Sequence, residues 1–313
     1  MDIHFFQDSL GHYSSSTCNR INNINIEYKL NASIIFVNIT NNKFVITSDL
    51  VNQVPEDWNS IKKYLSNLKD VNNVYFHNYN YLSQHILFLL KNKSKITIFN
   101  WVFWSAEFYN LPEISTKFYI GNSAKYHPNY NFYRRFKFKL FHFKEMLLNR
   151  PYYCHKSFIN SFNELNCFFS FLKSDYDNVI KYSKANLNYK IFSYLSFEQF
   201  FGDIDLNTNI NLNTSNLNIM INHNGDPILN HFDALERLKL INYKYRLILP
   251  VAYGDKKYIN KLKEYCEFNF DNNLVDFWEE FIKPNEYSKK LLDINVAIFN
   301  FSVQKGIGNL LPM

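Results

Sequence analysis

Residues 74–100 read VYFHNYNYLSQHILFLLKNKSKITIFN. A strand-like run starts at Val74, residues 81–90 repeat apolar side chains at helical spacing, and a second strand-like run starts at Ile96. Two strands separated by a helix of that length cannot close as a tight hairpin, so they lie parallel in a sheet covered on both faces. Toward the N-terminus the rhythm extends through IHFF from Ile3, SIIFVNI from Ser33, FVIT from Phe44 and a helix over 58–68. Toward the C-terminus it continues less clearly through CFFSFL from Cys167, a helix near 175–182 and KIFSYL from Lys190.

Residues 202–218, GDIDLNTNINLNTSNLN, are polar and read as a surface connection, with an irregular edge strand as the other reading. Beyond them the rhythm restarts with NIMIN from Asn218, a turn, a helix over 228–240 and the strand YRLILPV from Tyr245. A helix over 257–265, the run EFNF, helices over 276–282 and 286–292 and the strand INVAIFNF from Ile294 come after it. The expected architecture is α/β with two Rossmann-like domains, residues 1–205 and 206–313, meeting at a cleft along the carboxyl ends of two sheets.

A length of 313 residues suits two domains, and 47% apolar with 19% aromatic content excludes disorder over the whole chain. Cys18, Cys154, Cys167 and Cys266 lie far apart with no CxxC spacing, which indicates neither a zinc knuckle nor a disulfide framework and fits a reducing compartment. The opening MDIHFFQDS does not read as a signal peptide, and no apolar run approaches the ~18 residues of a membrane span. The net charge of +6 is uneven: Lys125, Arg134, Arg135, Lys137, Lys139, Lys144, Arg150 and Lys156 against Glu145 put +7 into residues 125–156. Any preference for an anionic partner therefore resides there.

The turn Asn222-His223-Asn224-Gly225-Asp226 sits between a strand and a helix, where free amides and the helix dipole suit a diphosphate; an ordinary turn capped by Asp226 is the plainer reading. Gln304-Lys305-Gly306-Ile307-Gly308-Asn309 comes after a strand and permits close approach of a ligand, yet lacks the remaining residues of a dinucleotide or P-loop motif. Glu107, inside WVFWSAEFY, is a carboxylate among aromatics, either a general base with raised pKa or part of a packed helix start. His77 at a strand end is a second candidate base. The segment FYRRFKFKLFHFKEMLLNRPYY interleaves rings and cations, suiting anionic lipid headgroups, single-stranded nucleic acid, or a plain amphipathic helix. Hydrolase and metalloenzyme motifs are absent from the sequence.

In order and spacing, VYFHN, FNWVFWSAEFY, NIMINHNGD, Asn230-His231, LILPVAYG and FSVQKGIGNL together resemble the bacterial TDP-N-acetylfucosamine:lipid II N-acetylfucosaminyltransferase family, the 4-acetamido-4,6-dideoxygalactosyltransferases of enterobacterial common antigen synthesis. The resemblance implies a GT-B fold with two Rossmann-like domains, the second shortened at its C-terminus because family members continue beyond the equivalent of Met313. It implies a donor site lined by Asn224, Gly225, Asp226, His231, Tyr253, Gln304, Gly306, Ile307, Gly308 and Asn309, to which Lys305 adds a cation for the diphosphate, and it puts Glu107 and His77, the two candidate bases, on the acceptor side of the cleft. Where the family has glycines, this chain has Ser105 and Asn222; where it commonly has arginine, this chain has Val303.

The implied reaction moves a deoxy-acetamido sugar from a TDP-sugar to a polyprenyl-diphosphate-linked saccharide at the inner face of a bacterial cytoplasmic membrane. No cofactor or metal is expected, since no Asp-x-Asp occupies a strand end. Arg134, Arg135, Lys137, Lys139 and Lys144 would contact the anionic membrane surface, with nucleic acid not expected. The competing readings are a same-fold glycosyltransferase with another nucleotide sugar and glycan acceptor, and a non-catalytic homologue that binds lipid or nucleic acid.

Overall fold

The computed structural model describes residues 1–7, 11–40, 50–93, 96–119, 121–126, 132–133, 135–137, 139–140, 143, 155–192 and 217–303, with backbone alone for 11–16, 112–113, 116, 155–157 and 284–285. The chain divides into two compact units, Met1–Asn110 with Phe138–Leu195, and Leu111–Lys137 with Ser196–Met313. The first unit is thus interrupted by a segment that groups with the second.

The first unit is built on a seven-stranded sheet, ordered β3-β2-β1-β4-β5-β6-β7 and parallel throughout. Its strands are β1 (Asp2–Gln7), β2 (Ile34–Thr40), β3 (Val51–Pro55), β4 (Asn73–His77), β5 (Ile98–Val102), β6 (Cys167–Ser170) and β7 (Asn188–Ile191). The chain starts at the centre, walks to one edge, then returns to add β4 on the other side of β1, so strand order reverses between β1 and β4. Central strands covered on both faces read as continuous apolar runs, which is why Ile3, Phe5, Phe6 and Val74 are buried without alternation.

The Tyr81–Lys91 helix starts where Asn80 accepts hydrogen bonds from the amides of Leu82 and Ser83. It buries Leu82, Ile86, Leu87 and Leu90, each worth roughly 1.5–3 kcal/mol. The Gly11–Glu27 helix was not foreseen: it is polar along most of its length and touches the core mainly through Cys18 and Ile21 against Phe6, Phe36 and Val51. The third strand is the polar edge run VNQVP, in which Val51 and Val54 point inward; the FVIT run at 44–47 lies outside the described residues.

The second unit carries a four-stranded parallel sheet, ordered β10-β9-β8-β11: β8 (Leu217–Ile221), β9 (Tyr245–Pro250), β10 (Val275–Trp278) and β11 (Val296–Ile298). Its order reverses between β8 and β11. The helix expected over 276–282 is absent: Val275–Trp278 is instead strand β10, paired with Leu247–Pro250. Val275, Phe277 and Trp278 suit a pleated edge, and pairing with β9 overrides the weak helical spacing. The EFNF run from Glu267 closes the Lys256–Asn269 helix, leaving Phe268 90% exposed. The helix expected over 228–240 is a 3-10 turn, Pro227–Leu229, then the His231–Leu238 helix.

The segment 111–137 docks on that helix by specific contacts. Asp233 accepts the amides of Asn122 (2.9 Å) and Ser123 (3.2 Å), Asn230 Nδ2 donates to the Phe118 carbonyl (3.1 Å), and Tyr126 stacks on Phe232. Gly121, at φ 67°, is required there because a Cβ would stand 2.3 Å from an Asp233 oxygen.

Candidate active site

Strand β5 delivers the chain to Trp104, Ser105 takes a left-handed φ of 84°, and the short Ala106–Tyr109 helix then turns Glu107 back over the strand end. Glu107 Oε1 accepts the Trp104 amide (2.7 Å) and the indole N–H of fully buried Trp101 (3.1 Å). Among the described residues Oε2 has no hydrogen-bond partner, although it too is buried. Burial pushes this carboxyl up from 4.5 to about 7; the Trp104, Glu107 and Trp101 N–H groups pull the other way, and Asp175 adds a smaller upward push. The floor under the turn is a rigid polar cluster, in which Tyr109 donates to Asp175 (2.7 Å) and receives a bond from Asn178 (2.9 Å). The arrangement offers one anchored and one unengaged carboxylate oxygen, with a proton affinity matched to neutral pH.

His77 ends β4 beside the order reversal of the same sheet. It is 2% exposed, its ring is stacked on Phe6, and its Nε2 lies 3.0 Å from Nδ1 of His4. One ring donates to the other, and burial, which lowers the pKa of His4 to about 3, keeps the pair neutral. Burial first, then His4, holds the His77 pKa well below the usual imidazole value. Such a ring is a weak base at neutral pH, whereas Glu107 is poised.

In the second unit, β8 hands over to Asn222 at a left-handed φ of 56°, which asparagine tolerates better than most residues. Its amide donates to the Ile298 carbonyl (2.9 Å), its Nδ2 to the Leu229 carbonyl (3.0 Å), and its Oδ1 accepts the Asn300 amide (3.1 Å). Asn222 thus ties both sides of the β8/β11 reversal together.

Gly225 donates its amide to the Tyr253 carbonyl (2.8 Å) and accepts from the Asp255 amide (3.1 Å), forming a parallel bridge with Gly254. A Cβ on Gly254 would lie 2.3 Å from the Gly225 carbonyl carbon, and φ there is 140°. These glycines therefore let two loops touch backbone to backbone. The Asp226 amide is held by Asn224 Oδ1 (2.8 Å), and the first helical amides, of His231 and Phe232, are held by Tyr258 Oη (3.1 Å) and Ser123 Oγ (3.3 Å). Where the sequence led us to expect open amides, those of residues 222, 225, 226, 231 and 232 are engaged within the protein.

His231 is fully buried; burial, with a smaller push from His223, lowers it to about 3 and keeps it neutral. Tyr253 is 61% exposed at the sheet's carboxyl edge, and Asn224 is buried in the turn. Gln304, Lys305, Gly306, Ile307, Gly308 and Asn309 lie outside the described residues, as do Arg134 and Lys144. Arg135, Lys137 and Lys139 are helical and exposed.

Sequence reasoning missed Gly254, Tyr258, Ser123 and His4. A signal for the first was available: Asn224-Gly225-Asp226 and Tyr253-Gly254-Asp255 repeat a Gly-Asp pair after consecutive strands. Each Asp side chain caps the helical turn next to it, Asp226 through the Ile228 amide and Asp255 through that of Tyr258. Among the described residues, no group of three or more His, Cys, Asp or Glu is placed to hold a metal ion. No helix there is long and apolar enough to cross a membrane.

Two parallel sheets, each with a reversal beside its first strand, define the α/β fold of GT-B glycosyltransferases. The solved structures with this fold include the Anabaena HepE protein in complex with UDP (TM-score 0.59, 9% identity, covering 100% of this chain and 79% of that one). The lipopolysaccharide outer core galactosyltransferase WaaB, in its apo form, gives 0.53 at 7% identity, covering 95% and 73%. The N-terminal domain of Candida albicans trehalose-6-phosphate phosphatase gives 0.54 at 10%, covering 99% and 80%. At such identities the likeness is one of fold. Residues 196–312 match the family described as 4-alpha-L-fucosyltransferase, glycosyl transferase group 56. No curated protein sequence matches the chain. Fold and family match together support a fucosyltransferase-like glycosyltransferase.

Proposed function

We propose that the protein transfers a deoxy-acetamido sugar of the N-acetylfucosamine type from a TDP-sugar to a polyprenyl-diphosphate-linked saccharide, without a metal ion, at the inner face of a bacterial cytoplasmic membrane. The observation that carries this reading is the Glu107 carboxyl: one oxygen anchored by two N–H donors, the other unengaged among the described residues, and a pKa of about 7. As the glycosidic bond forms, the acceptor hydroxyl must lose a proton, and a carboxylate of that basicity is suited to take it. One neighbour of like fold, the Anabaena HepE protein, is solved bound to UDP and to UDP-glucose, which supports a nucleotide sugar as donor.

In this reading Asn224, Gly225, Asp226, His231 and Tyr253 line the donor site along the carboxyl edge of the second sheet, and Gln304, Lys305, Gly306, Ile307, Gly308 and Asn309, outside the described residues, are assigned to it from the sequence alone. Lys305 there would offset charge on the departing diphosphate. The exposed cations Arg135, Lys137 and Lys139, interleaved with exposed Phe132 and Phe136, meet the anionic membrane that carries the acceptor.

A thermal-shift panel of nucleoside diphosphates and their sugars is the direct test. Stabilisation by TDP species, together with transfer that persists in EDTA, is the expected result. A response to no nucleotide, or transfer abolished by EDTA, would overturn the donor or the metal-free part of the reading.

A further inference from the structure

The sequence confines its basic patch to residues 125–156, but in the second unit the folded chain brings a distant helix beside it. Lys257 Nζ stands 5.3 Å over the Tyr133 ring, and Lys261 Nζ donates to the Tyr126 carbonyl (2.7 Å), although these residues are more than a hundred positions apart in the chain. Lys256, Lys257 and Lys261 are exposed, as are Lys125, Arg135 and Lys137 in the segment that carries Tyr126 and Tyr133. Beside these cations Phe132 is 69% exposed, Tyr133 49% and Phe136 53%, and the two Phe rings lie nearly parallel.

Lys256 and Lys257 also open the Lys256–Asn269 helix, whose first turn holds no acid. Cations are disfavoured at a helix N-terminus, where the dipole is positive, so their placement costs folding stability. Among the described acids, Asp255 caps this helix through the Tyr258 amide, Glu236 is engaged by the Tyr126 hydroxyl and Lys239, and Glu264 shares the helix face one turn beyond Lys261 and limits the cationic stretch to the first turns.

We infer that Lys256, Lys257 and Lys261 complete, with Phe132, Tyr133, Arg135, Phe136 and Lys137, a composite surface on the second unit that docks on anionic lipid. The inference rests on the membrane-facing reading above and adds a part of the chain which that reading does not contain. Lipid is favoured over nucleic acid because the exposed Phe rings stack on each other instead of standing apart as platforms for successive bases.

The test is co-sedimentation of the full chain with vesicles of phosphatidylcholine and phosphatidylglycerol, with melting measured in parallel. A Lys256→Gln/Lys257→Gln/Lys261→Gln triple variant should partition about a hundredfold more weakly, at roughly fivefold per cation removed. Its melting temperature should change little, relief at the helix N-terminus offsetting the lost Lys261–Tyr126 and Lys257–Tyr133 contacts. Binding unchanged in this variant but lost in Phe132→Ser/Phe136→Ser would overturn the composite surface and leave the membrane reading standing. Absence of vesicle binding by the unmodified chain would overturn the membrane reading itself. Tighter binding to single-stranded RNA than to vesicles would overturn the choice of lipid.

Discussion

The two sheets solve their carboxyl edges differently. In the first unit the edge presents titratable side chains held by neighbours, with Glu107 fixed on Trp101 and Trp104 and His77 fixed on His4. In the second the edge is knitted from main chain, with Asn222 bridging to Ile298 and Gly225 bonded to the loop at Gly254. The first arrangement holds ionisable side chains in place by hydrogen bonds, while the second is main chain that shapes a surface. The contrast teaches that a Gly-rich turn beside a helix start is not by itself an anion site, because its donors can be satisfied internally.

If this division holds, substitutions at the two edges should fail in different ways. The largest expected effect is on turnover: Glu107→Gln should lower transfer by about 10²–10⁴-fold while leaving nucleotide-induced thermal shifts intact. Full activity with an unaltered pH profile would remove Glu107 as base. In the unmodified chain kcat/KM should climb as pH rises through about 7, where Glu107 ionises.

The same group has a stability signature of opposite sense. Its folded pKa lies above its ordinary 4.5, so the folded state holds the extra proton between 4.5 and about 7, and stability declines as pH rises across that window. Glu107→Gln should therefore flatten this decline, checked by melting from pH 5 to 8.

Next in size, Gly254→Ala should cost about 3 kcal/mol in chemical denaturation, since the new methyl meets Gly225 backbone that cannot yield. A neutral outcome would show the two loops to be loosely joined. Asp233→Ala should cost about 1 kcal/mol by releasing the amides of Asn122 and Ser123. The smallest effect is expected at Ser105→Gly, a gain of up to about 1 kcal/mol in thermal denaturation, because φ is 84° there. A loss would indicate that the serine side chain matters more than the strain.

The βαβ rhythm was legible because buried parallel strands announce themselves as unbroken apolar runs, as in SIIFVNI and LILP. The polar edge strand VNQVP and the Gly11–Glu27 helix were not legible, since each contributes few side chains to a core and is held by neighbours distant in sequence. Glu107 could be picked out from its aromatic surroundings. The two donors that fix it could not, because spacing alone does not say which N–H groups a turn aims inward. Likewise Ser123 meets Phe232 only because residues 111–137 join the second unit.

That membership also bears on how the protein is made. Tyr126 leaves the ribosome about 110 residues ahead of Glu236, its eventual partner. At translation speeds of roughly 5–20 residues per second, the apolar side chains of that segment wait on the order of 5–20 s for the helix that covers them. Nascent-chain chaperones therefore have a defined interval, and a defined stretch of chain, on which to act.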